Sequence, residues 1–395
     1  MYDNYLPDGW RQYKIKDIGA VITGNTPPRN EPENYGGDLA WIKPPDLDKT
    51  IFISDSEEKI SEIGRRKVRL LPKGSVLVGC IGNIGKVAIA DSELCTNQQI
   101  NGIIPNKEIV DSIFLFYTMK RIRPKLEQIA SSAVVPLLNK TDFSNIEISL
   151  PPLPIQKKIA AILEKAERLK EWRKEADKLT DEFLKSTFLE MFGDPQNNPK
   201  KWEKLKIRDV TIHHKQGFYT TSNYVDSGIK LVRITDITEF GKLTYDTMPF
   251  LDLDSKTIEQ FKVQKGDFLF ARSGVSIGRC AIVETDIPCV FGSYIIRFRF
   301  DTNKINNKFI WFSIKLPQSQ LGLKQLAHGS TNPNINAENI KNIEIIVPPL
   351  HLQQKFAQIV EKVEPMRQIQ NQSGEEVNNL FNALMQQAFK GELAC

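Results

Sequence analysis

Cysteine and histidine are scarce in this chain. The five cysteines (Cys80, Cys95, Cys280, Cys289 and Cys395) include no Cys-x-x-Cys pair, and an odd number is a poor basis for a disulfide framework. With only four histidines, a zinc site has little to draw on. Buried reduced thiols, with no metal and no cofactor held by the chain itself, are the expectation. Long apolar runs are missing as well. Nothing approaches the ~20 residues of a membrane span, and the opening MYDNYLPDGW lacks a signal-peptide pattern, so no membrane partner and a cytoplasmic location are expected. A dominant charge is also absent: 53 Lys and Arg against 48 Asp and Glu leave a net +5. That is too small an excess to mark the whole surface as a polyanion binder. The 395 residues suffice for two domains of about 150 residues and two long helices.

What the chain does have is a repeat. PPLPIQKKIAAILEKAERLK from Pro151 recurs as PPLHLQQKFAQIVEKVEPMR from Pro348, at an offset of 197 held without a gap from Gln128 and Gln325 onward. The shared NIEI of Asn145 to Ile148 and Asn342 to Ile345 lies inside this stretch. Each copy predicts a long helix, from Pro151 to about Met191 in the first case. The Pro-Pro pair ends an extended segment and suits a first helical turn. Apolar residues then fall three or four apart, the spacing of a helix packed along a partner helix. The expected seam is Ile155, Ile159, Ile162, Ala166 and Leu169, then, after a phase shift near Trp172, Ala176, Leu179 and Phe183. In the second copy it is Leu352, Phe356, Ile359, Val363 and Met366, then Val377, Leu380 and Leu384. Roughly 40 residues make a helix about 60 Å long. Pro365 and Gly374 weaken the second helix and predict a kink there.

Fainter echoes extend the repeat to the rest of the chain, so this is a duplicated domain and not a short-period solenoid. Trp10 with Lys14 to Ile18 matches Trp202 with Lys206 to Val210; Lys73 to Lys86 matches Lys265 to Arg279; Phe114 to Tyr117 matches Phe309 to Phe312. Strands are expected at 20–23, 39–42, 75–78, 86–90 and 100–104, with a helix over 111–125. In the second copy they are expected at 231–234, 268–270, 279–283 and 293–300, with a helix over 307–315.

Several catalytic signatures come close and fail. Gly79 to Lys86 imitates a phosphate loop, but Cys80 and Val87 stand where a Walker motif needs Gly and Ser or Thr. Pro45-Asp46 followed by Glu57-Glu58-Lys59 imitates a metal-dependent nuclease motif. The second copy has Thr235-Asp236 without the following acid and lysine, and the segment around Glu57 reads as helical. No adenine-methyltransferase, helicase or ATPase set is present, so no catalytic residue is expected. A basic run, Lys59, Arg65, Arg66, Lys67, Arg69 and Lys73, suits phosphate contacts as well as it suits a solvated strand edge.

The double I-x-L/V-P-P-L-x-x-Q-x-K-I/F-A-x-I-L/V-E-K, at Ile148 to Lys165 and Ile345 to Lys362, resembles the specificity subunits of type I restriction-modification systems. The resemblance covers essentially the whole chain. It implies an α+β fold of two similar, strand-rich mixed α/β target recognition domains. These would be joined by two long antiparallel helices forming a coiled coil, a pseudo-twofold internal repeat. The boundaries would be 1–150 and 196–347 for the recognition domains, and 151–195 and 348–395 for the helical spacers. It further implies a non-catalytic subunit that reads a bipartite, asymmetric target in double-stranded DNA, with the helices setting the gap between the halves. Two methyltransferase subunits and motor-nuclease subunits would be the partners, and S-adenosylmethionine, ATP and Mg would belong to those partners. Candidate DNA contacts lie in equivalent polar and Gly-rich loops. They are Thr23, Gly24, Lys43, Arg65, Arg66, Asn83 and Lys86 in the first domain, and Gln216, Tyr219, Arg233, Arg272, Ser273 and Arg279 in the second. The Gly24-Asn25-Thr26-Pro27 turn resembles a family motif, which the second copy replaces by Gln216-Gly217-Phe218-Tyr219. The competing readings are a coiled-coil scaffold without DNA binding and a single-chain nuclease or methyltransferase.

Overall fold

The computed structural model describes residues 6–130, 135–221, 223–327 and 333–393; Cys395 and the first five residues of the N-terminal stretch lie outside them. The chain divides into two compact units, Met1–Lys174 with Gln372–Cys395, and Glu175–Asn371. No helix among the described residues is long and apolar enough to cross a membrane.

In the first unit, alternation of side chains along buried strands builds two layers around one sheet. Its order is Gly19–Thr23, Ile100–Pro105, Val76–Gly79, Val87–Ala90 and Phe52–Ile53, antiparallel but for the last pair. Val76, Val78, Val87 and Ile89 face a helical layer of Ser112–Ile129 and parts of the two long helices. Leu77, Ala88 and Ala90 face the opposite way, towards Ala40, Ile42 and Leu71 of a second sheet. That sheet runs Lys59–Ile60, Tyr35–Ile42, Leu94–Thr96, Leu70–Leu71. The segment around Glu57, expected to be helical, instead bends into the short strand Lys59–Ile60, and the helix begins only at Glu62.

The second unit repeats the plan. Thr211–Gln216, Ile295–Phe300, Phe268–Ala271 and Cys280–Ile282 form the antiparallel sheet. Phe268 and Phe270 face the helices, while Leu269 and Ala271 face the sheet of Phe250–Leu251, Ile229–Val232 and Cys289–Phe291. The helix Asn307–Lys315 presents Phe309 and Phe312 to Phe188, Phe192 and Phe356, whose ring centroids lie 4.9 to 5.8 Å apart.

The two long helices span Leu153–Phe192 and Leu350–Lys390. The second runs unbroken through Pro365 and Gly374; Pro365 is exposed, and Gly374 lies where the Arg173 side chain packs, 3.5 Å from a Cβ placed there. Each unit contains half of each helix, running in opposite directions. In the first unit Lys170 lies over the Phe381 ring; in the second, Thr180 and Gln370 hydrogen-bond through their side chains and Arg367 pairs with Asp181. The inward positions step by three and four: Gln156, Ile159, Leu163, Ala166, Lys170, and on to Thr180, Leu184 and Phe188. Their counterparts are Gln353, Phe356, Val360, Val363, Arg367, Gln370, Val377 and Phe381.

This seam corrects the expected one in part. Leu169 (42% exposed), Leu179 (55%), Phe183 (51%) and Leu380 (48%) point away from it. They sit one residue before the inward positions Lys170, Thr180, Leu184 and Phe381, as Met366 (53% exposed), also expected in the seam, sits before Arg367. The most apolar residue in each turn was expected inside, whereas polar side chains occupy the middle of the seam. Ile159, Phe356 and Val363 are buried, and Ile155, Ile162, Leu352, Ile359 and Leu384 are half-buried along its edges.

The paired glutamines of the repeated motif have one job. Gln156 Nε2 donates to the carbonyls of Ile109 (3.0 Å) and Pro151 (2.8 Å), and its Oε1 accepts from Asp111 N (3.0 Å). Gln353 makes the same three bonds, to Lys304 O (3.1 Å), Pro348 O (2.7 Å) and Asn306 N (2.9 Å). Both side chains are fully buried, so each ties the start of its long helix to the loop before the Phe-bearing helix.

Candidate nucleic-acid interface

At one edge of each unit the chain folds the same loops into a cluster, and backbone hydrogen bonds define it. The Gly-rich loop is anchored alike in both copies. Cys80 N donates to Gln99 O (2.8 Å) and Cys80 O accepts from Leu138 N (2.8 Å); Arg272 N donates to Tyr294 O (3.0 Å) and Arg272 O accepts from Ile335 N (2.9 Å). Gly82 N reaches Pro136 O (2.9 Å) and Gly274 N reaches Pro333 O (2.8 Å), while Gly85 and Gly278 close back onto Gly79 and Ala271. Gly85 and Gly278 both have positive φ, 73° and 83°, as this return requires. The loop enters strand Val87–Ala90 and not a helix, so the backbone N–H fan of a phosphate loop is absent here.

Two further segments join the cluster. The turn after the edge strand passes close to the end of a strand of the other sheet, Leu94–Thr96 in one unit and Cys289–Phe291 in the other: a Cβ on Gly24 would lie 2.3 Å from the Thr96 and Asn97 carbonyl oxygens, and one on Gly217 would lie 2.1 Å from Gly292 O. Gly24 is therefore required by packing. Gly217 N donates to Ile295 O (3.0 Å) as Gly24 N does to Ile100 O (3.1 Å), so the second copy keeps this glycine, one residue on from the expected match with Gln216, and loses only the residues that follow it. The short 3-10 turns 44–46 and 234–236 are capped identically, Lys43 N donating to Asp46 Oδ2 (3.0 Å) and Arg233 N to Asp236 Oδ2 (2.8 Å). The apparent nuclease aspartate is thus a turn cap, with Lys49 Nζ at 3.3 Å on its other oxygen.

The expected contact residues divide into groups. Lys43 lies over the Trp41 ring (4.5 Å) and pairs with Glu58, whose carboxyl it holds below the ordinary value. Arg233 forks onto Asp236 (2.9 and 3.1 Å) and donates to Thr247 O (2.7 Å), and the Asp236 bond raises its pKa. Arg272 Nε is committed to Ile335 O (3.1 Å), Ser273 is buried on Asn334, and Arg279 reaches Ile237 O at 3.5 Å. Thr23 Oγ1 donates to Asn101 Oδ1 (2.6 Å). Arg65 pairs with Glu93. By contrast Arg66 is exposed and Lys86 half-buried, and neither makes an ion pair among the described residues; Asn83, Gln216 and Tyr219 are exposed. The basic run is not the bare patch its sequence suggests, because acids from elsewhere reach it: Lys59 meets Asp55, Lys67 meets Glu31 and Lys73 meets Asp91. Such exposed pairs contribute about 0 to 1 kcal/mol each and exchange readily for a phosphate.

Residues outside the expected set also face this edge. In the first unit Asn25 bonds Lys67 O (2.7 Å) and Arg69 N (2.9 Å), and Thr26 bonds Gln98 (2.5 Å), forming an amide-rich rim. In the second, Tyr219 (77% exposed), Tyr224 (58%) and Tyr294 (51%) stand with Arg233 around a cavity of about 550 Å³. An adjoining hollow of about 770 Å³ is lined by Tyr294, Val275 and Lys324. The aromatic spacing in the loop from Tyr219 to Tyr224 was the available signal for this rim.

Known proteins resemble the chain throughout. The type I restriction modification DNA specificity domain matches twice, over residues 7–178 and 199–379. The specificity subunit of type I restriction enzyme MjaIX from Methanocaldococcus jannaschii is 27% identical over 383 residues, covering 90% of this chain and 87% of that protein. The HindI specificity subunit of Haemophilus influenzae is 36% identical over 169 residues, 40% of this chain and 37% of its own length. Among solved structures, a type I restriction-modification S subunit from M. genitalium has the same fold, with a TM-score of 0.61 at 15% identity over 98% of both chains. Two matched domains spanning most of the sequence place this chain in the family of type I restriction-modification DNA specificity subunits.

Proposed function

We propose that each unit reads one short half of a bipartite double-stranded DNA target, and that the two halves differ in sequence. The observation that carries this reading is the loop cluster built twice on the same hydrogen bonds but presenting different side chains: amides around Asn83 and Gln98 in one unit, tyrosines and Val275 in the other. Cations around each cluster hold the phosphates, and side chains at its centre reach base edges. Arg66 and Lys86 are the cations of the first unit best placed for phosphate contact, because among the described residues no acid pairs with them.

The chain supplies recognition to partners that supply chemistry. Two methyltransferase subunits bring S-adenosylmethionine and the pocket for a flipped adenine, and motor-nuclease subunits bring ATP and Mg. The docking face for the methyltransferases is an apolar trio repeated at the offset of the duplication. Leu169, Trp172 and Leu380 belong to the first unit, and Met366, Ile369 and Phe183 to the second; all six are exposed. The mixed charges from Lys157 to Glu190 contribute less. Several are taken up in pairs within the helix, such as Arg168 with Glu164 and Lys178 with Glu182. A patch present twice fits two copies of one partner.

The test is single-molecule sequencing of adenine methylation in cells expressing this chain with its methyltransferase, against cells lacking the chain. One bipartite motif that disappears with the chain is expected. Unchanged methylation with a complex shown to assemble would overturn the reading.

A further inference from the structure

The two copies of the Gly-rich loop differ at the tip. Between the matched anchors Gly82/Gly274 and the buried Ile84/Ile277, the first unit presents Asn83 and the second presents Val275 on a turn one residue longer. Val275 is fully exposed, yet its loop is tightly held: Gly274 N donates to Pro333 O at 2.8 Å and Ser273 is buried on Asn334. A lone exposed aliphatic residue needs no explanation. Here, however, the exposed rings of Tyr219, Tyr224 and Tyr294, from two other loops, line the same pair of adjoining hollows, with Arg233 and Lys324 beside them.

We propose that Val275 determines specificity in the second unit by packing against the C5-methyl group of a thymine in that unit's half-site. This rests on the DNA-reading function proposed above. A valine tip has no donor or acceptor for phosphate, sugar or most base edges, and the thymine methyl is the apolar group that a base edge presents in the major groove. Lys324, exposed and without an ion pair among the described residues, neutralises a flanking phosphate, and the tyrosine rim excludes water from the contact. Asn83, at the same place in the first unit, carries the amide suited to adenine, so the duplicated scaffold reads two different letters with one loop.

The test uses the whole chain in complex with its methyltransferase and a duplex carrying the methylated motif. Each thymine of the second half-site is replaced in turn by deoxyuridine, which removes only the methyl group. Wild-type complex should lose about fourfold in affinity at one position, the equivalent of one buried methyl. The Val275→Ser complex should bind the thymine duplex about fourfold more weakly and be indifferent to that replacement, while an Asn83→Ser complex, weakened by the loss of its own amide contact, should still lose about a further fourfold on that replacement. A half-site without thymine, no sensitive position, or equal sensitivity in Val275→Ser overturns the assignment while leaving the two-reader function intact. Absence of any bipartite motif overturns both.

Discussion

Gln156 and Gln353 are the residues whose substitution the fold should resist most specifically. Each places an NH2 group between two carbonyl oxygens and a carbonyl against an N–H, away from water. Replacement by Ala should cost about 2 to 3 kcal/mol, from buried groups left unpaired. Replacement by Glu should cost more, because a carboxylate would face two carbonyls. Chemical denaturation of single variants checks this, and a Gln156→Glu protein of unchanged stability would contradict it. The thiols give a pH dependence. Burial pushes Cys80, Cys95 and Cys289 from 9.0 up to about 12, and Cys280 well above 9.0. A thiol whose pKa is raised by folding favours the folded state fully below its unfolded value, and that contribution is lost as pH rises through the folded one. Stability should therefore fall progressively between pH 9 and 12, and less so in a Cys80→Ala variant. In native protein at pH 8 these four thiols should resist alkylation, which mass spectrometry reads directly. At this scale the sequence showed which glutamines recur but not why, since two of the three partners of each lie 45 to 49 positions away.

The long helices show where pattern reading succeeds and where it slips. Their existence and position were legible, the expected span from Pro151 to about Met191 becoming Leu153–Phe192, because 40 residues of helical periodicity leave few alternatives. In the middle of the seam the buried line lies one residue away from the most hydrophobic one, so hydrophobicity there does not mark burial. There the inward line runs through Lys170, Arg367 and Gln370, whose stems fill the space between the helices, and Thr180, which hydrogen-bonds Gln370, while the apolar side chains stand one residue to the side. That displacement separates packing from docking. A Trp172→Ser, Ile369→Ser double variant should keep the thermal stability of the isolated chain within about 1 kcal/mol, as substitutions of exposed residues usually do. The same variant should fail to assemble with the methyltransferase, as size-exclusion chromatography of the mixture would show. Assembly at wild-type strength would move the docking face elsewhere. The loop clusters were legible only as polar and Gly-rich stretches. Lys43, Arg233 and Ser273 had the right composition for contact, but each proves to be engaged within its own loop cluster, by bonds invisible without coordinates.

For the whole molecule, duplication explains both the shared frame and the freedom of its edges. The anchors of the loop cluster are main-chain bonds, so side chains there can change without disturbing the fold. Exchange of residues 1–150 for another recognition domain should change one half of the methylated motif and leave the other half and the spacing unchanged. Sequencing of methylated DNA decides this, and a change in both halves would sink the two-reader model. The exchanged domain must still fit Phe381 and Phe389, which pack with Tyr117, Phe114 and Trp10. The first unit takes these two rings from the far end of the chain, which has a consequence for synthesis. A ribosome adding about 5 to 20 residues per second makes Trp10, Phe114 and Tyr117 early and reaches Phe389 only after a delay on the order of ten seconds or more. The second unit can close around its own aromatic cluster while the first still shows an unfinished apolar surface. The half of the protein that leaves the ribosomal tunnel first is thus the last to be completed, and in that interval it is the half most in need of a chaperone.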